Sequence, residues 1–246
     1  MTQHMIDLHS HILPELDDGA QNLYQSLEMA RLAVESGVQI MVATPHCASD
    51  RTREVRSAAV LLREALREEQ IPLRLFMGME IFGTPDTADL LRAGKLYTLN
   101  NSRYPLIEFD FVSDGGKETQ ILSSVIQAGY QPIVAHPERY AYVQQDPELV
   151  NFWKRMGCLF QVNRGSLFGR FGEEAQDVAL SLIRRGFANV VASDAHSPRM
   201  RTTWLKDAWE ILEREAAPVA ARYLLWENPR RILKNKPLMN LEPEWF

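Results

Sequence analysis

A β-rich run followed by a helix recurs along the whole chain, and that alternation leaves few folds open. The β-rich runs fall at 5–9, 38–44, 73–79, 105–109, 132–135, 158–163 and 189–193. Apolar residues at helical spacing mark helices over about 22–36, 53–69, 85–92, 117–128, 147–156, 173–185, 201–215 and 218–226, with a shorter turn at 229–234. In the first of these, Leu23, Leu27, Ala30 and Val34 form one stripe, and Gly37 closes the helix. Strict strand–helix alternation implies a parallel sheet covered by helices. Seven units without a Pro/Gly/Ser-rich linker or charge block favour a closed or nearly closed barrel over an open sheet. No strand leads into a dinucleotide or Walker phosphate loop, which also disfavours the nucleotide-binding version. The expectation is an α/β fold: a distorted TIM-like (β/α)7 barrel forming one domain over 1–246, with 237–246 as a tail. That tail carries Met239, Leu241, Trp245 and Phe246, apolar groups able to dock on the body or on a second subunit of a homo-oligomer.

A chain of 246 residues builds a core without disulfide staples, so Cys47 and Cys158 read as reduced thiols of a cytoplasmic protein. The first residues lack the basic and apolar regions of a secretory signal. No apolar run approaches the roughly 18 residues that span a bilayer. The 27 basic and 32 acidic residues leave a net charge of −5, and no basic cluster with interleaved aromatics appears. Nucleic acid is therefore not an expected partner.

Function is carried by the placement of histidines. Of the six, all but His4 (His9, His11, His46, His136 and His196) fall at the end of an expected strand or just beyond it. Glu80, Glu108 and Asp194 occupy the same kind of position. In a parallel barrel these ends converge on one face, where active sites are built. Any one of them alone reads more naturally as a hydrogen-bonded structural residue. Together, imidazoles and carboxylates in one cavity repel and desolvate one another unless a cation holds them. Neutral His and ionised Asp or Glu around a metal remove that cost. On an extended strand, residues two apart face the same side, so both imidazoles of Asp7-Leu-His9-Ser-His11 can reach one ion. Asp194-Ala-His196 lies at the last strand, and barrel closure brings the first and last strands together.

These segments resemble the PHP (polymerase and histidinol phosphatase) superfamily of metal-dependent phosphoesterases. Within it, the chain is similar to the bacterial protein tyrosine phosphatases of capsule and exopolysaccharide loci. The matching segments, in order, are MIDLHSHILPELDDGA (5–20), ATPHCA (43–48), GMEIFGTPD (78–86), NNSRYPLIEF (100–109), VAHPERY (134–140), QVNRGSL (161–167) and ASDAH (192–196). The resemblance implies a three-metal cluster. His9, His11, Glu80 and Asp194 would hold the first ion; Glu80 would bridge to a second, completed by Glu108 and His136; Asp18, His46 and His196 would hold the third. Asp17 is the alternative to Asp18. Many other PHP phosphatases carry histidine at the Glu108 and Asp18 positions, so the carboxylates favour the tyrosine-phosphatase branch. Such hard ligands tilt the metal toward Mn²⁺, with Fe or Zn as alternatives. Asp7 is expected to orient a ligand from behind.

Divalent ions in such a cluster activate water to hydroxide near neutral pH and neutralise phosphate charge. The resemblance makes Arg139 of HPERY one phosphate clamp, and Arg199 and Arg201 are both candidates for the second. The implied substrate is phosphotyrosine, carried on the tail of a membrane-associated tyrosine kinase that controls surface polysaccharide. The alternatives are a phosphatase of a small metabolite such as histidinol phosphate, and a phosphotyrosine-binding regulator without turnover. Cys158-x5-Arg164 also matches the spacing of cysteine-dependent tyrosine phosphatases. Its cysteine opens a β-run among core residues, with no glycine-rich loop to cradle a thiolate, and reads as a buried hydrophobe.

Overall fold

The computed structural model describes residues 4–216 and 219–239. Its strands are β1 (Met5–Ser10), β2 (Val38–Ala43), β3 (His46–Cys47), β4 (Arg74–Met77), β5 (Glu80–Phe82), β6 (Leu106–Glu108), β7 (Ile133–Ala135), β8 (Leu159–Asn163) and β9 (Val190–Ala192). All seven expected regions are extended. The second and third continue past a break, which accounts for the two additional strands. Pro45, with no N–H to give to a ladder, separates β2 from β3. Gly78 and Met79 separate β4 from β5. A Cβ on Gly78 would lie 2.8 Å from Leu99 Cδ2 and 3.3 Å from Val42 Cγ1, so a larger residue there would have to displace the Leu99 side chain. Pairing survives both breaks: Gly78 N–H donates to Ala43 O (2.8 Å) and Glu80 N–H to Pro45 O (3.1 Å).

Every strand pair is parallel, in the orders β1-β2-β4 and β3-β5-β6-β7-β8-β9. Because β2 runs into β3 and β4 into β5, the two sheets are arcs of one ring. The seam is drawn together by a parallel bridge between Ser10 and Ala195. Beside it, His11 N–H donates to Ala195 O (2.8 Å) and Asp194 N–H to His9 O (2.9 Å). This is the distorted, TIM-like (β/α)7 barrel that the alternation implies.

Strand alternation divides the core in two. Ile6, Leu8, Val42, Leu106, Ile133, Leu159 and Val190 pack together inside the ring, where Leu99, Tyr104 and Ile232 close its N-terminal end. Met41, Ile107, Val134, Phe160 and Val191 face outward against the helices. The helix Leu23–Glu35 begins at Asn22, whose side chain accepts from Gln25 N–H. It buries Ser26, Met29, Ala30 and Ala33, so of the expected stripe Ala30 is fully buried while Leu23, Leu27 and Val34 are partly buried beside it. Small residues at the centre let the helix approach the sheet, and the three larger ones pack at the margins of that contact.

Near the C-terminus the elements differ from expectation. The helix anticipated from 201 begins only at Lys206 and runs to Glu215. Residues 201–205 stay in a loop, held by His196 N–H donating to Arg201 O (2.8 Å). The segment expected as 218–226 is a short helix, Ala220–Arg222, that continues through a wider turn at Tyr223–Glu227 into Asn228–Leu233. Of the anticipated tail, Leu238 packs against the core and Met239 N–H donates to Asn228 Oδ1 (3.1 Å). Leu241, Trp245 and Phe246 lie outside the described residues.

Candidate metal centre

The mouth of the barrel is set by an irregularity in β1. Ile6 pairs with Ile40 and Asp7 with Met41, but the next pair is Ser10 with Ala43, so three residues of β1 advance against two of β2. The extra residue changes the side-chain parity. Ile6 and Leu8 face the interior below, whereas His9 and His11 together face the mouth above. Two further donors sit on left-handed backbone at strand ends, His136 (φ 32°) after β7 and Asp194 (φ 49°) after β9. Non-glycine residues hold that conformation only where the surroundings enforce it, and such positions cluster at functional sites.

The donors converge in three overlapping groups, within each of which one donor atom per residue lies within 4.8 Å of the others. His9, His11, Glu80 and Asp194 form the first, the set expected for a first ion. His9 Nε2 is 3.1 Å from Glu80 Oε1, and His11 Nε2 is 3.2 Å from Glu80 Oε2. The second contains His46, Glu80 and Glu108. His136 Nε2 also reaches Glu80 Oε1 (2.8 Å) and Glu108 Oε1 (3.4 Å). The third contains Asp18, His46 and His196, joined by His11. His46 thus stands between two groups, with Nδ1 3.0 Å from Glu80 Oε2 and Nε2 3.5 Å from Asp18 Oδ1.

Glu80 Oε2 and Asp194 Oδ1 are buried and accept no hydrogen bond, although imidazole nitrogens crowd around both. Buried anionic oxygens are normally satisfied. Such oxygens, grouped within 4.8 Å of imidazole nitrogens, make a donor set that divalent cations can satisfy. Electrostatics lead to the same demand. Burial works against the charge on Glu80, yet His9, His11, His136 and His46 hold its carboxyl well below the ordinary range. Burial likewise opposes a charge on His46, but Glu108 and Glu80 raise it to about 10. Burial, aided by the neighbouring His11, pushes His196 down to about 4 and keeps it neutral.

The two adjacent aspartates separate by geometry. Asp17 Oδ2 accepts from His11 Nδ1 (2.7 Å) and from His46 N–H (2.9 Å), while Oδ1 accepts from Gly19 N–H (2.9 Å). Its carboxylate is occupied in orienting His11. Asp18 Oδ1 instead lies 3.3 Å from His196 Nε2. The two candidate arginines after Asp194 separate as well. Arg201 donates to Asp194 Oδ2 and stands 3.2 Å from His196 Nε2, whereas Arg199 lines a different groove with Tyr24 and Glu28. Arg139 also reaches Asp194 Oδ2 (3.2 Å). Arg139 and Arg201 rim a cavity of about 120 Å³ above the donors.

Asp7 does not touch an imidazole. It accepts from Ser193 N–H (3.0 Å) and Ser193 Oγ (2.5 Å), tying β1 to the segment after β9, and burial pushes its carboxyl up to about 6. The orienting role falls to residues of QVNRGSL whose individual tasks the sequence does not disclose. Gln161 Oε1 holds His9 Nδ1 (2.8 Å), leaving Nε2 for the cluster. Gln161 Nε2 donates to Asn163 Oδ1 (2.8 Å), and Asn163 Nδ2 donates to Asp194 Oδ2 (2.5 Å). Glu138 Oε1 accepts from Asn163 N–H (2.8 Å) and Ser166 Oγ (2.7 Å). Adjacent polar residues at the end of a β-run, beside a ligand-bearing strand, were the only signal for this network.

Cys158 lies before the first residue of β8, at the end of the barrel remote from this cluster. Burial pushes its thiol up to about 12, the reverse of an activated nucleophile. Arg164, the other half of the C-x5-R match, is paired with Asp207 through Nε (2.8 Å).

Comparison with known proteins agrees with this picture. Residues 5–234 match the family described as capsular polysaccharide synthesis, CpsB/CapC. The chain is 35% identical over 244 residues to the tyrosine-protein phosphatase YwqE of Bacillus subtilis (strain 168), covering 98% of this chain and 96% of that protein. It is 32% identical over 241 residues to the tyrosine-protein phosphatase CpsB of Streptococcus agalactiae, covering 94% of this chain and 99% of that one. A solved structure from work on YwqE of Bacillus subtilis and CpsB of Streptococcus pneumoniae, described as unique metal-dependent tyrosine phosphatases, superposes with a TM-score of 0.92. It is 35% identical and covers 98% of this chain and 99% of its own.

Proposed function

The chain belongs to the capsular polysaccharide synthesis family CpsB/CapC, and on that premise we propose that it is a metal-dependent tyrosine-protein phosphatase. One observation carries the reading. Buried oxygens of Glu80 and Asp194 without hydrogen-bond partners converge with imidazoles beneath two guanidinium groups. His9, His11, Glu80 and Asp194 would hold one ion, Glu80, Glu108 and His136 a second, and Asp18, His46 and His196 a third. Mn²⁺ suits a set in which hard carboxylates share the sites with imidazoles, and Fe or Zn compete for it. When bound, such ions lower the pKa of water and neutralise charge on the phosphoryl group.

The chain's own residues supply position and counter-charge. Arg139 and Arg201 share Asp194 Oδ2 and face the small cavity, placed to take phosphoryl oxygens in forked hydrogen bonds. Asp17 and Gln161 fix the rings of His11 and His9 so that each turns its Nε2 inward. A tyrosine leaving group, with a pKa of about 10, needs little protonation from the protein. The expected physiological substrate is the phosphotyrosine tail of a membrane-associated tyrosine kinase, met from the cytoplasm. No described helix is long and apolar enough to cross a membrane. A site for a small metabolite encloses most of its ligand; the cavity of about 120 Å³ at the cluster favours a substrate that inserts only its phosphoryl group.

The test is hydrolysis of a phosphotyrosine peptide by chelated protein before and after Mn²⁺ is added, with histidinol phosphate in parallel. Loss on chelation, recovery with Mn²⁺ and preference for the peptide are the expected results. Metal-dependent activity confined to histidinol phosphate would transfer the reading to metabolite hydrolysis. Peptide activity that survives verified metal removal would refute the metal mechanism.

A further inference from the structure

A site this shallow leaves the aromatic ring of its substrate outside, and the rim there is not neutral ground. The cavity of about 120 Å³ is lined by cluster residues, Arg139, Arg201 and one aromatic side chain, Phe111. Phe111 is 36% exposed, so part of its ring is open to a ligand. The rest is held in place. Its ring stacks on His136 at 5.9 Å with 25° between planes, and packs against Tyr140 at 5.9 Å. The Arg139 guanidinium lies 4.6 Å from its centroid, and Ala141 N–H donates to its carbonyl oxygen (2.9 Å). Behind it, Tyr140 Oη donates to Ala135 O (2.8 Å) and accepts from Phe109 N–H (3.1 Å), pinning the loop to β7.

Beyond Phe111 the same loop continues into a second, larger groove of about 730 Å³, lined in part by Asp110, Val112, Lys117 and Phe82. Phe82 and Val112 are 41% and 79% exposed, and Phe82 follows Glu80 by two residues. The groove therefore opens beside the metal centre, on the side that Phe111 marks.

We propose that Phe111 is the specificity-determining residue for aryl phosphates: it receives the tyrosine ring once the phosphoryl group is seated, and directs the flanking peptide into the groove of Phe82 and Val112. This rests on the phosphotyrosine reading above and adds to it the residue that reads the leaving group. An alkyl phosphate such as phosphoserine has no ring to place there. Offset or edge-to-face aromatic pairs add affinity beyond the area they bury.

Phe111 also touches Arg139, so the test has to separate ring recognition from support of the guanidinium. Steady-state kinetics of metal-loaded protein on a phosphotyrosine peptide, with inorganic phosphate as competitive inhibitor, does so. Phe111→Ala is expected to raise KM for the peptide about fivefold to tenfold, with a smaller change in kcat. The Ki of inorganic phosphate should stay within about twofold, because no ring is involved, and Phe111→Tyr should restore the wild-type KM. A Ki that rises in step with KM would overturn the proposal in favour of a role in holding Arg139. An unchanged KM would overturn it outright. Wild-type protein that fails to hydrolyse the peptide at all would refute the phosphotyrosine reading itself, and this inference with it.

Discussion

At the N-terminal end of the barrel, Leu99, Tyr104 and Ile232 close over Ile6, Leu106, Ile133 and Val190, an apolar plug. A few residues further along the same strands, His9, Glu80, Glu108, His136 and Asp194 crowd together almost without solvent. The lower end has an apolar interior, and its irregular backbone, with left-handed Asn100 and Asn101, stays in the closing turn, where Tyr104 Oη donates to Lys236 O (2.7 Å). The upper end carries its irregularity among the interior groups themselves, with a bulge in β1, left-handed backbone at His136 and Asp194, and buried carboxylate oxygens that accept nothing. A stable lower half makes a costly upper half tolerable, which is the usual partition in barrels that host an active site.

If that division is right, substitutions should sort by end. Asp194→Ala removes a donor of the first group and the anchor of Arg139 and Arg201, and should lower phosphopeptide turnover by about a thousandfold or more. Metal content measured on the same sample should fall with it; full metal occupancy and retained turnover would break the comparison. Gln161→Leu leaves the donors in place but frees the His9 ring. Metal affinity, read by titration, should weaken by about 10- to 100-fold. At the plug, Leu99→Ala should cost about 2–5 kcal/mol of stability in denaturant unfolding. Turnover per folded, metal-loaded molecule should change little, and a large loss there would show the two ends to be coupled. The smallest effect on activity is expected of Cys158→Ser, within about twofold of wild type. Its cost should be about 1–3 kcal/mol of stability, from a hydroxyl placed in an apolar site. A dead but folded and metallated variant would overturn the separation of Cys158 from the chemistry.

Much of the upper end was legible in the sequence because ligands are chemically distinctive and sit at strand ends, where even a rough boundary places them correctly. His9 and His11 faced one side by strand parity alone. What turns them toward the mouth was not legible, because it is a bulge that no residue type announces. Neither was the role of Gln161, whose partner His9 is 152 positions away. Asp17 and Asp18 are adjacent and chemically identical, and only the position of His11 Nδ1 decides which is occupied in orienting a ring. Arg199 and Arg201 pose the same problem. The loop that holds Arg201 O on His196 N–H turns one guanidinium to Asp194 and leaves the other in a separate groove.

Sequence alone determined the alternation of strand and helix, hence the parallel barrel, and the residue types that gather at its mouth. Both follow from local periodicity and from the chemistry of single side chains, which are properties of short segments. Tertiary structure decided the rest: closure through Ser10 and Ala195, the parity shift in β1, the choice between neighbouring aspartates and arginines, and the placing of Phe111 beside Arg139. Each of these depends on the distance between atoms far apart in the chain, and a linear pattern carries no measure of that distance until the barrel closes.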